Sequence, residues 1–74
     1  MCTLNQLKIN ENAYIENIQI FDNYRRRLLD LGFIKKSKIT ALYKSPTGNL
    51  TAYLIKGTVI AIRDEDARKI NIIK

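Results

Sequence analysis

Three consecutive arginines, Arg25, Arg26 and Arg27, followed by Lys35 and Lys36, form the densest run of positive charge in the chain. Residues of this kind steer and hold anionic partners: nucleic acid, an anionic membrane surface or an acidic protein. Between Arg25 and Lys56 eight basic residues stand against Asp30 alone, whereas the flanks together are slightly acidic. The formal charge of +6 is therefore concentrated in the middle of the chain.

Bond-making chemistry has few carriers. Histidine is absent and Cys2 is the only cysteine, so neither a Ser/His or Cys/His nucleophile pair nor an imidazole metal site can be assembled, and no disulfide can close within the chain. Asp64, Glu65 and Asp66 are adjacent acids, which point to different sides of a helix and lack calcium-loop spacing. Their fit is to the positive end of a helix dipole, with Arg68 and Lys69 at its other end. Gly48 and Gly57 are isolated and lack the phosphate-cradling pattern. The expectation is no catalytic residue, no cofactor and no metal ligand. Base stacking by Tyr14, Tyr24, Tyr43 and Tyr53 is the weaker reading, because three of them sit in strands where aromatics pack.

The basic run needs a helix to present it. Tyr24, Leu28 and Leu31 fall at i, i+4 and i+7, one apolar stripe. Asp22 or Asn23 caps its start, and Gly32 closes it, with Phe33 and Ile34 folding back onto the same apolar face. Arg26 and Asp30 lie opposite the stripe, while Arg25 and Arg27 flank it and lay their stems along its edge. From the residues alone, the solvated back of a core helix is the simpler reading and a docking surface the sharper one.

Around that helix the pattern is of strands. Thr3 to Ile9 holds one helical turn. Ala13 to Ile20 is a strand whose apolar face changes phase between Ile15 and Ile18, the mark of a bulge or bend. Ile39 to Lys44 alternates, with Ile39, Ala41 and Tyr43 on one face. Ser45-Pro46-Thr47-Gly48-Asn49 is a hairpin loop, Leu50 to Lys56 pairs back, and Gly57 precedes a strand at Thr58 to Arg63. Both faces of that strand are apolar, which predicts a deep position. A short helix begins at Asp64, and Ile70 to Ile72 ends the chain as a strand.

These elements predict a mainly β domain with one or two short helices, a small SH3-like β-barrel over residues 1–74, with an OB-type barrel as competitor. Closure would remove exposed edges. No unbroken apolar run exceeds the four residues of Val59–Ile62, far short of the roughly 20 a membrane-spanning helix needs. The first residues lack a secretory pattern, so the expected location is the cytosol.

Arg27-Leu28 with Leu31-Gly32, then Ser45 to Asn49, then Gly57 and Ala61-Ile62-Arg63 with Ala67 and Ile70, resemble the ferrous iron transport protein A (FeoA) family over nearly the whole chain. The resemblance implies an SH3-like barrel without enzymatic activity. It implies a cytosolic accessory of ferrous iron uptake that assists FeoB, the membrane transporter with a GTP-binding domain, and reaches the inner face of the membrane through that partner. A related domain ends the iron-dependent repressors, joined there to a DNA-binding module that is not seen here. Two departures stand out: Lys35 and Lys36 replace the Pro-Gly pair common after the helix, and Asn49-Leu50 replaces Asp-Pro after the loop.

With that resemblance the docking surface becomes the preferred reading. The helix from Arg25 to Gly32 supplies it, with electrostatic steering by Arg26, Lys35 and Lys36 and a mixed apolar and guanidinium contact by Arg27 and Leu29. A basic SH3-like or OB-like nucleic-acid-binding module is the alternative, and an arginine finger from Arg26 or Arg27 ranks below it. Weak self-association through exposed strand edges and weak carboxylate binding of iron stay open.

Overall fold

The computed structural model describes residues 2–20 and 22–74. Strand β1 (Cys2–Thr3) leads into a 3-10 turn at Leu4–Gln6, then β2 (Asn12–Ile18), helix α1 (Asn23–Asp30), β3 (Lys38–Lys44), β4 (Leu50–Ile55), β5 (Thr58–Arg63), helix α2 (Asp64–Ala67) and β6 (Ile70–Ile73). The six strands form one antiparallel sheet in the order β1-β6-β2-β3-β4-β5. The last strand thus lies between the first two, an arrangement the sequence order alone does not suggest.

The phase change in β2 is a bulge between Ile15 and Asn17, and it lets Ala13, Ile15, Ile18 and Ile20 all point inward. A second register shift, unforeseen, falls between Ala41 and Tyr43 in β3. The extra residue moves Tyr43 off the face of Ile39 and Ala41, leaving it 60% exposed instead of packed. Each bulge adds local twist to the sheet. The core so formed takes in Leu4 and Leu7 from the 3-10 turn, Leu28 and Phe33 from the helix region, Tyr53 and Ile55 from β4, and Ile70 and Ile72 from β6.

Two expectations need correction. The sheet is not closed: β1 and β5 are its free ends. And β5 is an edge strand rather than a deep one, with Ile62 its single buried residue and Val59 54% exposed. Apolar residues on both faces normally mark a strand covered on both sides, so Val59 and Ala61 depart from that rule.

Candidate functional site

Helix α1 starts where Asp22 accepts a hydrogen bond at Oδ1 from the Tyr24 amide (2.9 Å), a side-chain cap on one of the first-turn donors. It ends in a Schellman turn: the Phe33 amide donates to the Leu28 carbonyl (2.9 Å) and the Gly32 amide to that of Leu29 (3.1 Å). Gly32 has φ +105°, outside the range open to residues with a Cβ, and a Cβ built there would stand 3.0 Å from Lys56 Cδ. The turn drives Phe33 into the core beside Leu28, both fully buried. Leu31 and Ile34 are left 38% and 44% exposed, so the stripe expected through Leu31 and the fold-back of Ile34 give way to Phe33 alone.

With Leu28 held inward, the opposite side of α1 is presented outward. Arg25 and Leu29 are one turn apart and both exposed. They line a groove against β2 whose floor is Ile15, Ile18 and Phe33 and whose far wall carries Glu16, Asn17 and Lys35. On the other side of Leu29 lies a second shallow hollow formed by Asp22, Arg25, Arg26, Leu29 and Asp30. Leu29, 36% exposed, is therefore an apolar ridge between two hollows, each bordered by arginine.

The expected site residues do not all meet. Arg25, Arg26, Leu29 and Lys35 share this surface. Lys35 is not free for steering alone, since its Nζ lies 3.7 Å from Glu16 Oε1. Arg27 lines neither hollow, and residues two apart on a helix do not face each other, so it stands apart from Leu29 on the helix surface. Its charge instead acts on the half-buried Tyr24 phenol, whose pKa is raised first by burial and by Asp66 and lowered in part by Arg63 and Arg27. Arg25's place beside Leu29 is what helix spacing could have shown.

Lys36 lines neither hollow and occupies the left-handed region at φ +72°, its amide donating to the Ile15 carbonyl at 2.7 Å. Among the described residues, none of Arg25, Arg26, Arg27 and Lys36 comes within ion-pair distance of a carboxylate. Glu16 and Asn17 are the lining residues that sequence reasoning missed. The phase change in β2 marked their strand as bulged but not which of its polar residues would flank the helix.

Elsewhere the acids at the start of α2 are used structurally: Asp64 Oδ2 accepts from Arg68 Nε at 3.1 Å, one turn on. Among the described residues no group of three or more potential metal-ligating side chains is gathered, and no helix is long and apolar enough to cross a membrane. Tyr53 is buried, but Tyr14 and Tyr43 are 49% and 60% exposed, so packing explains only one of the three strand tyrosines. What the α1 surface can do is recognise: an apolar ridge and unpaired guanidinium groups suit an amphipathic, acidic protein surface.

Comparison with known proteins places the fold. A Campylobacter jejuni protein described as a candidate Fe(2+) transport protein A is 27% identical over 70 residues, spanning 95% of each chain. The solution structure of a FeoA protein from Chlorobium tepidum superposes with a TM-score of 0.91 at 27% identity, covering 96% of this chain and 68% of that one. A zinc complex of Stenotrophomonas maltophilia FeoA, described as a prokaryotic SH3-domain protein, gives 0.85 at 28% identity, covering 97% and 89%. The architecture is accordingly SH3-like, built from a sheet that stays open. Residues 2–74 match the FeoA domain family, and the chain belongs to that family of ferrous iron transport accessory proteins.

Proposed function

We propose that this accessory protein acts without catalysis of its own, by docking on the cytosolic part of a FeoB-type transporter through the outer face of α1. The observation that carries the reading is Leu29, an exposed apolar residue held between Arg25 and Arg26, with neither arginine engaged by a carboxylate of the described residues. In this arrangement Leu29 and the stem of Arg25 supply the apolar contact, and Arg26, Lys35 and Lys36 supply the steering field. Arg27, which lines neither hollow, sits at the margin. The protein stays in the cytosol and reaches the membrane through its partner.

Docking changes transport only if one conformation or assembly state of the transporter is bound more tightly than another; a tenfold preference amounts to about 1.4 kcal/mol of coupling. The test is binding of the purified chain to the transporter's isolated cytosolic region, at low and high salt. Arg26→Glu combined with Lys36→Glu is expected to weaken binding by about tenfold or more, mainly through slower association, with an unchanged melting curve. Equal affinity of the double variant and the native chain would remove this surface from consideration.

A further inference from the structure

We infer that β5 is a self-association edge, on which a second copy of this chain adds its own β5 in antiparallel register about a two-fold axis centred on Ala61. β4 and β5 are joined by a two-residue turn with both φ values positive, Lys56 at +50° and Gly57 at +78°, and Ile55 is paired with Thr58 across it. In such a hairpin the pair flanking the turn is hydrogen-bonded and the pattern alternates. Ile60 and Ile62 therefore bond to β4, while the backbone groups of Val59, Ala61 and Arg63 point away from it. β5 ends the sheet, and no further backbone bond among the described residues reaches Val59 or Ala61. Nothing blunts this edge in the usual ways, since it has no proline, no bulge and no charge before Arg63.

Self-complementarity selects a second copy as the occupant. Centring on Ala61 sets Ala61 against Ala61 and Val59 against Arg63 of the other copy, so every outward-facing residue of the strand finds a partner. Shifting the centre by one residue leaves one of them unpaired or brings the two Arg63 side chains closer. The same register carries Lys56, beyond one end of the strand, toward the acidic start of α2 at the other end in the second copy, where Glu65 is exposed. The opposite sheet edge, β1, is two residues long, so the contact closes as a dimer instead of propagating.

Sedimentation of the full chain up to about 1 mM, with amide exchange followed residue by residue, tests this. The expected result is a monomer–dimer equilibrium in which the Val59, Ala61 and Arg63 amides gain protection as concentration rises. Val59→Lys places a lysine opposite Arg63 twice in the dimer and is expected to weaken it by about tenfold. Lys56→Glu, outside the ladder, weakens it without touching the strand and serves if Val59→Lys disturbs folding. A monomer at every concentration, a dimer whose β5 amides stay unprotected, or a dimer indifferent to both variants would overturn the assignment.

Discussion

Substituting Gly32→Ala probes the joint between the core and the exposed face of α1. A residue with a Cβ at φ +105° lies outside the allowed left-handed region, at a cost of about 1–3 kcal/mol. The new Cβ would also meet Lys56 Cδ at 3.0 Å and Cγ at 3.3 Å. Lys56 is exposed and its chain end is free to move, so this second contribution is the smaller. Against both stands the lower conformational entropy that alanine brings to the unfolded chain, which recovers about 0.4–1 kcal/mol. The expected net loss is about 2 kcal/mol, which for a chain of this size lowers Tm by about 8–16 °C. Urea denaturation with a comparison of m-values measures it, and Lys56→Ala in the same background separates the two causes. Only a small part of the loss should return with Lys56→Ala. A loss below about 0.5 kcal/mol, or full recovery by Lys56→Ala, would refute the argument that backbone strain dominates.

Lys36 offers the reverse experiment. It holds a left-handed backbone at φ +72°, which glycine adopts at little cost, so Lys36→Gly is expected to raise stability by about 0.5–1 kcal/mol while, on the docking proposed above, slowing association with the transporter, a split visible by pairing thermal melts with binding kinetics. Tyr53, like Tyr24, contributes to the alkaline limb of stability. Burial lifts its phenol above the usual 10.0, the Thr51 hydrogen bond opposes and Asp64 adds to the rise. The folded state therefore keeps this proton more tightly than the unfolded chain. Its contribution is complete below about pH 10 and is lost as the pH climbs through the folded-state value. Tyr53→Phe is expected to make stability fall less steeply above about pH 10 and to change it little at neutral pH, because the hydroxyl's contact with the Leu4 carbonyl is long at 3.5 Å. Urea titrations across that pH range check both expectations.

Much of the local structure was legible because short-range physics decides it. A cap at Asp22 or Asn23, Gly32 as stop, the Ser45–Asn49 loop, the break at Gly57 and the bulge in β2 depend on one or two neighbours and on backbone sterics, which residue types report directly; that Lys56 belongs to the turn and not to the strand was not legible. The absence of histidine and the single cysteine likewise limited the chemistry before any fold was known. Tertiary structure decided what depends on partners distant in the chain. Leu31 and Phe33 are equally plausible core residues by type; the Schellman turn chose Phe33 by reversing the chain after Leu31. Lys35 meets Glu16, and Arg25 and Leu29 border one groove with Glu16 and Asn17, because the fold brings β2 beside α1. β5 carries apolar residues on both faces whether it is central or terminal, and only the sheet order puts it at the edge. Alternation records which residues avoid water, but a strand's place in a sheet is set by hydrogen bonds between backbones, which are the same for every side chain.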